Sequence, residues 1–504
     1  MSKLRMAAST LLCLFSITQL YTQTNNYYSS PKREMRGIWI ATVNNIDWPS
    51  QPNLPVDKLK RETDIILDRV KNIGLNTVFV QVRPSSDAIY RSQYEPFTTY
   101  LVDENSTLPA DFDPLEYWIA QAHSRGLELH AWINPFRMTP KKDFACAPLH
   151  PSRTHQNWAV TYAGKMYLDP GIPDARQYVQ TIVDDIASRY DIDGIHIDDY
   201  FYPYPVAGEP DFADTASYRK YNPSKLSLGD WRRENVNDVI CRISQSVKQI
   251  KPWIAFGVSP FGVWRNKRDD PTGSDTRAGT TNYDILYADV AKWIDNKWID
   301  YVAPQIYWEQ GHSAADFDKL TEWWAERSKG KTQVYVGHAI FKVNTGAKAW
   351  DNPEEIPTQI AKVREHTDLD GSIFFSYRQF NRDLLGLEKK MQTTIFTNKS
   401  LTPLTLPNKY PKNIEVSDLE HKRGKLHWDV NDASDVRFYA VYRYKKGDDF
   451  DTNKSNYLYE LTDQQSITLE PSNKKKRTKY IYCVSAIDKY REEHNLSHRI
   501  SIRY

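Results

Sequence analysis

The sequence predicts an α/β protein: a (β/α)8 TIM barrel followed by a C-terminal all-β sandwich. Three observations carry that prediction. Eight short apolar runs alternate with seven amphipathic helical stretches over about 360 residues, the rhythm of a parallel sheet wound with helices. One run, Asp193-Gly-Ile-His-Ile-Asp-Asp-Tyr-Phe-Tyr-Pro-Tyr204, delivers two acids and three tyrosines to its C-terminal end, where parallel β/α folds build their sites. After Pro403–Pro411 the helical period gives way to short strands and polar turns, as in a sandwich.

At 504 residues the chain exceeds one ordinary core, so several domains are expected. Residues 1–25 read as a signal peptide. Lys3 and Arg5 precede an apolar run from Met6 to Leu20, and polar residues follow; the run is too short for a comfortable membrane span. An exported, periplasmic or envelope-associated protein is expected. Cys13 raises a lipoprotein form, but Leu12 precedes it where a small residue belongs. No later segment is long and apolar enough to span a bilayer.

Residues 31–395 form the expected barrel. Its strands are read at 35–43, 76–83, 127–135, 194–201, 255–262, 301–308, 333–340 and 371–377. Its helices are read at 56–73, 114–125, 172–190, 231–250, 287–296, 314–329 and 357–367. A doubly wound sheet is disfavoured, because no Gly-rich phosphate loop follows the first strand. Residues 396–412, rich in Pro, Asn and Lys, read as a linker. Residues 413–504 carry the sandwich, with strands at 425–430, 438–444, 457–461, 466–469 and 480–488.

Composition narrows the function. A net charge of +2 offers nothing to a nucleic acid or an anionic membrane. Fifteen Trp and thirty-two Tyr supply flat faces with a polar handle, suited to stacking on sugars or to a large core. Cys146, Cys241 and Cys483 are scattered, which argues against a disulfide framework and a cysteine zinc site. His196 with Asp198 has no second histidine placed to complete a metal site, and no nucleophile elbow is present. No metal and no cofactor are expected.

The chemistry is read from the strand ends. If Ile195 and Ile197 face outward, His196 and Asp198 face inward. The same alternation on strand six sends Gln305, Tyr307 and Glu309 into the mouth. A carboxylate pair across a cleft is the equipment of glycoside hydrolysis. Glu309 beside Trp308 reads as the acid, and Asp198 near His196, Arg83 and Asn134 as the ionised partner. Asp199 orders the loop or binds substrate. Trp39, Trp132, Trp264, Tyr200, Tyr307, Trp308 and His338 complete the expected sugar-binding set, with Arg83 and Arg137 meeting a neighbouring or substrate carboxylate. A core role is the competing reading for His196 and for each tryptophan.

The segments Arg36-Gly-Ile-Trp39, Asn76-Thr-Val-Phe-Val-Gln-Val-Arg83, His130-Ala-Trp-Ile-Asn-Pro135, Tyr167-Leu-Asp-Pro170, Asp193–Tyr200 and Pro304-Gln-Ile-Tyr-Trp308 resemble the glycosyl-hydrolase-like family ten. That resemblance implies an exported TIM-barrel glycosidase related to α-amylases and α-galactosidases. It places Asp198 as the reactive carboxylate and Glu309 in the acid's place on strand six. His196 stands where amylases have an arginine. The resemblance further implies peptide-stripped peptidoglycan strands of N-acetylmuramic acid and N-acetylglucosamine as substrate. The last 95 or so residues, with Trp428, Tyr439, Val441, Tyr442 and the run 480–488, resemble a fibronectin type III module; such a module could tie the protein to the cell envelope. The alternatives are a hydrolase of another polysaccharide and a non-catalytic carbohydrate-binding barrel.

Overall fold

A computed structural model describes residues 30–405, 413–469 and 478–503; the predicted signal peptide lies outside them. Eight parallel strands close into a barrel: β1 (Met35–Ile40), β2 (Thr77–Arg83), β3 (Glu128–Ile133), β7 (Gly194–Ile197), β8 (Ala255–Val258), β9 (Tyr301–Val302), β10 (Gln333–His338) and β11 (Gly371–Phe374). Between β3 and β7 the chain makes a separate sheet of β4 (Arg137–Thr139), β5 (Ala159–Tyr162) and β6 (Lys165–Leu168), in the order β4-β6-β5.

Helices cover the barrel because their apolar residues recur on one face. Helix Val56–Ile73 buries Leu59, Thr63, Ile66, Leu67, Val70 and Ile73. It stops at Gly74, whose φ of +93° is left-handed backbone open to glycine. Helix Pro114–Ser124 starts where the Asp113 carboxylate accepts from Leu115 N and Glu116 N. Each such apolar side chain taken fully out of water contributes roughly 1.5–3 kcal/mol.

Strand parity divides the core into two layers. Ile38, Val78, Ile195, Ile197, Val258 and Val336 join the layer beneath the helices. Trp39, Phe79, Trp132, Tyr301, Tyr335 and Ile373 fill the barrel interior. That filling needs small neighbours. A Cβ on Gly194 would sit 2.3 Å from His130, and one on Gly257 would sit 2.3 Å from Tyr301.

Every barrel strand is shorter than its sequence pattern, and two of these shortenings shape the site. The fourth ends at Ile197, and the sixth holds only Tyr301 and Val302. Pro304 follows β9 and has no N–H for a ladder; beyond it, single bridges from Gln305 to Phe261 and Gly337 replace regular pairing.

The C-terminal part is all-β. β12 (Val416–Lys422), β13 (Lys425–Val430) and β16 (Ser466–Thr468) make one sheet in the order β12-β13-β16. β14 (Val436–Lys445), β15 (Leu458–Thr462), β17 (Lys479–Asp488) and β18 (Ile500–Arg503) make the other, ordered β15-β14-β17-β18. Trp428, Tyr439, Val441, Tyr482 and Val484 pack within it. It rests on the N-terminal end of the barrel. Arg491 grips Glu128 of β3 at 2.7 and 2.8 Å, and Arg437 pairs with Asp191 and Asp193 before β7 at 2.8 Å each. The segment before it is fastened too, with Leu401 N donating to Lys32 O over 2.9 Å.

Candidate active site

At the opposite, C-terminal end of the barrel lies a cavity of about 890 Å³. Trp39, Trp132, Asp198, Asp199, Tyr200, Tyr204, Gln305, Tyr307, Trp308, Phe341 and Phe375 line it, with Arg137, Lys141, Lys165 and Lys342 at its walls. Among the described lining residues, Asp198 and Asp199 are the only carboxylates. Both follow the last residue of β7.

Asp198 is held by the neighbouring strand. Trp132 Nε1 and Asn134 Nδ2 each donate to its Oδ2 at 3.2 Å, and Tyr200 N lies 3.4 Å from Oδ1. Burial pushes its pKa up to about 7, and the charge of Asp199 adds to the rise. Burial raises Asp199 as well, against hydrogen bonds from Tyr204 and Gln305. Two buried carboxyls this close share protons rather than titrate independently.

Beneath the cavity, His196 is a buried strut. Trp39 Nε1 donates to its Nε2 over 3.1 Å; Ser259 Oγ also meets Nε2, and Tyr301 Oη meets Nδ1, each at 3.0 Å. Burial lowers its pKa well below the ordinary value, so the ring is neutral and positions Trp39. Asn134 likewise works through Asp198, and its Oδ1 accepts from Arg137 N at 3.0 Å.

Four expected site residues stand elsewhere. Arg83 is fully buried, paired with Glu95 at 2.6 Å and donating to the carbonyls of Asn134 and Pro135. A register shift between Gln81 and Arg83 turns it from the interior, and it cannot meet a substrate. Glu309 does not line the cavity; it accepts from Trp350 Nε1 at 3.1 Å. Alternation fails there because the strand ends seven residues earlier, at Val302. His338 faces the helix layer, bonded to Gln359 and Ser372 at 3.0 and 2.9 Å. Trp264 packs against Tyr283 and Trp323 in the outer core.

Other groups escaped the strand-end reading. Lys141 and Lys165 arrive from the β4-β6-β5 sheet region, and Lys342 from the turn after β10, where it donates to Tyr307 O at 2.6 Å. Arg137 lies over the Tyr200 ring at 4.2 Å. Among the described residues, Arg137, Lys141 and Lys165 have no carboxylate at ion-pair distance. Gln81 also lines the cavity, its Oε1 taken by Thr42 N and Val43 N. No group of three or more His, Cys, Asp or Glu side chains suited to a metal occurs among the described residues, and no described helix is long and apolar enough to cross a membrane.

The family model described as Glycosyl hydrolase-like 10 matches residues 34–353. Glycosyl hydrolase YngK of Bacillus subtilis (strain 168) is 39% identical over 486 residues, covering 93% of each chain. Glycosyl hydrolase DigH of Escherichia coli (strain K12) is 38% identical over 332 residues, covering 62% of this chain and 75% of that one. Among solved structures, the PgaB (BpsB) glycoside hydrolase domain of Bordetella bronchiseptica superimposes with a TM-score of 0.47 at 12% identity, covering 71% of this chain and 99% of that one.

Proposed function

The chain belongs to the glycosyl hydrolase-like 10 family and is a glycosidase, and from that premise we propose that it cleaves peptide-stripped peptidoglycan strands. The observation that carries this reading is the composition of one cavity. A buried acid pair, Asp198 and Asp199, shares it with aromatic walls and with Arg137, Lys141 and Lys165. Aromatic faces suit pyranose rings. Cations with no carboxylate at ion-pair distance suit an anionic glycan. The lactyl group of N-acetylmuramic acid is a carboxylate only once its stem peptide has been removed, because the intact strand carries an amide there. A carboxylate facing Arg137 therefore favours the stripped polymer.

In this reading the working carboxylates are Asp198 and Asp199, with Trp39 and Trp132 beneath the sugar. The apolar run of residues 6–20 supports export, so that the enzyme meets its polymer outside the cytoplasm. The three-plus-four strand order of the C-terminal sheets supports the fibronectin III-like reading of that module.

The deciding experiment incubates the protein with amidase-stripped glycan strands beside Asp198→Asn and Asp199→Asn, and identifies products by mass spectrometry. Short oligosaccharides from the parent and none from either variant are expected. Products from another polysaccharide alone would reassign the substrate. Binding without turnover by the parent would make the barrel a carbohydrate-binding one.

A further inference from the structure

The cavity holds its carboxylates on one wall. Asp198 and Asp199 are consecutive, with Cα atoms about 3.8 Å apart, and both leave the end of β7. The facing wall presents Tyr307, Trp308, Phe341, Lys342 and Phe375 and, among the described residues, no carboxylate. Glu309, the acid nearest that wall in sequence, is engaged by Trp350 outside the lining. Direct displacement by a protein carboxylate, or by water with a carboxylate base, needs carboxyl groups on both sides of the anomeric carbon. This site supplies only one side.

We propose that the missing nucleophile is the substrate's own 2-acetamido oxygen. The proposal rests on the reading above, since both sugars of the peptidoglycan repeat carry that group. A second observation supports it independently. Tyr307 lines the cavity, its hydroxyl has no hydrogen-bond partner among the described residues, and it lies in the electrostatic reach of Asp199 and Tyr200. Burial holds that phenol protonated, so it is a free donor where an acetamide carbonyl needs one. The indoles of Trp39 and Trp132 and the side chain of Ala41 provide an apolar bed for the acetamide methyl.

The step balances without a further reactant. The acetamide oxygen bonds to C1 as the C1–O bond to the leaving sugar breaks. The Asp198 proton passes to the leaving oxygen from Oδ1, the oxygen not occupied by Trp132 and Asn134. The product is an oxazolinium ion, whose N–H is met by ionised Asp199. Water then adds to C1 and gives a proton to Asp198, the C1–acetamide bond opens, and configuration is retained.

The test uses the full chain on stripped glycan strands and on the same strands after chemical N-deacetylation. Retention by NMR is expected, with at least a hundredfold slower cutting of the deacetylated strands. N-acetylglucosamine-thiazoline, which mimics the closed ring, should bind about 10²-fold tighter than N-acetylglucosamine. Tyr307→Phe should lower kcat tenfold or more with little change in KM, and should weaken thiazoline binding. Inversion, equal cutting of both polymers, or capture of a 2-fluoro sugar on Asp198 or Asp199 would overturn the inference and leave the glycosidase reading standing. If neither polymer is cut, the substrate reading falls and the inference with it.

Discussion

Arg491, in the turn after β17, holds both carboxylate oxygens of Glu128, the first residue of β3. Neither side chain is open to solvent. Burial works to raise the Glu128 carboxyl, but the Arg491 charge overcomes it and keeps the group below the usual carboxylate range. The C-terminal sheets are therefore keyed into the floor of the barrel, far from the cavity.

Removing one partner of such a pair leaves an uncompensated buried charge, at a cost of about 3–5 kcal/mol. Arg491→Ala should destabilise the whole protein by that order and leave the cavity's chemistry intact at low temperature. Denaturant unfolding with activity measured at 10 °C checks it. Unchanged stability would mean that the module contributes nothing to the barrel.

Glu309→Gln separates the sequence reading from the structural one. Strand alternation assigns Glu309 to the mouth as the acid; the structure has it accepting from Trp350 instead. The variant should retain activity within about tenfold, whereas Asp198→Asn should fall by 10²–10⁴-fold, the usual effect of losing a positioned acid or base. Equal losses from both would restore Glu309 to the chemistry.

How much was legible follows from the rules the residues obey. Alternation within a regular strand is local, and Ile195 and Ile197 suffice to send His196 and Asp198 inward. The rule failed where regularity failed: at Glu309, past the end of β9, and at Arg83, past a register shift. His338 stands three residues after Tyr335, which fills the interior, so strand parity turns it the other way, to Gln359 and Ser372. Lys141 and Lys165 reach the cavity through an inserted sheet whose pairing is non-local, and nothing in their immediate neighbours announces that path.

Charge selectivity should reside in Arg137 and Lys165, not in Arg83. Arg137→Ala should raise KM on carboxylated glycan strands about tenfold, the worth of one partly exposed charge-assisted hydrogen bond, and leave uncharged chitin oligomers unaffected. Arg83→Ala should instead unfold the site, since it strands Glu95 without its partner. Michaelis kinetics on both polymers, beside thermal melts of both variants, distinguish recognition from support. Equal KM changes on the two polymers would remove Arg137 from carboxylate recognition.

The Asp198 proton should be visible in stability as well as in rate. In the folded chain this carboxyl holds its proton up to about pH 7, against 3.8 as an ordinary Asp. Below pH 4 both states are protonated, and the group contributes nothing to pH dependence. Between pH 4 and 7 the folded state binds the extra proton, so stability falls as pH rises. Above pH 7 both states are ionised, and the full penalty persists, on the order of 4 kcal/mol for a shift of this size. Asp198→Asn cannot ionise, so the comparison with the parent reads the titration of the proton-sharing Asp198–Asp199 pair, the groups that differ between the two. The variant should therefore gain on the parent steadily from pH 4 to 7 in parallel denaturation curves, while the parent's kcat/KM declines above pH 7 as the acid loses its proton. A stability difference that stays flat across that window would mean that Asp198 is already ionised at pH 4, and the proton donor would have to be Asp199.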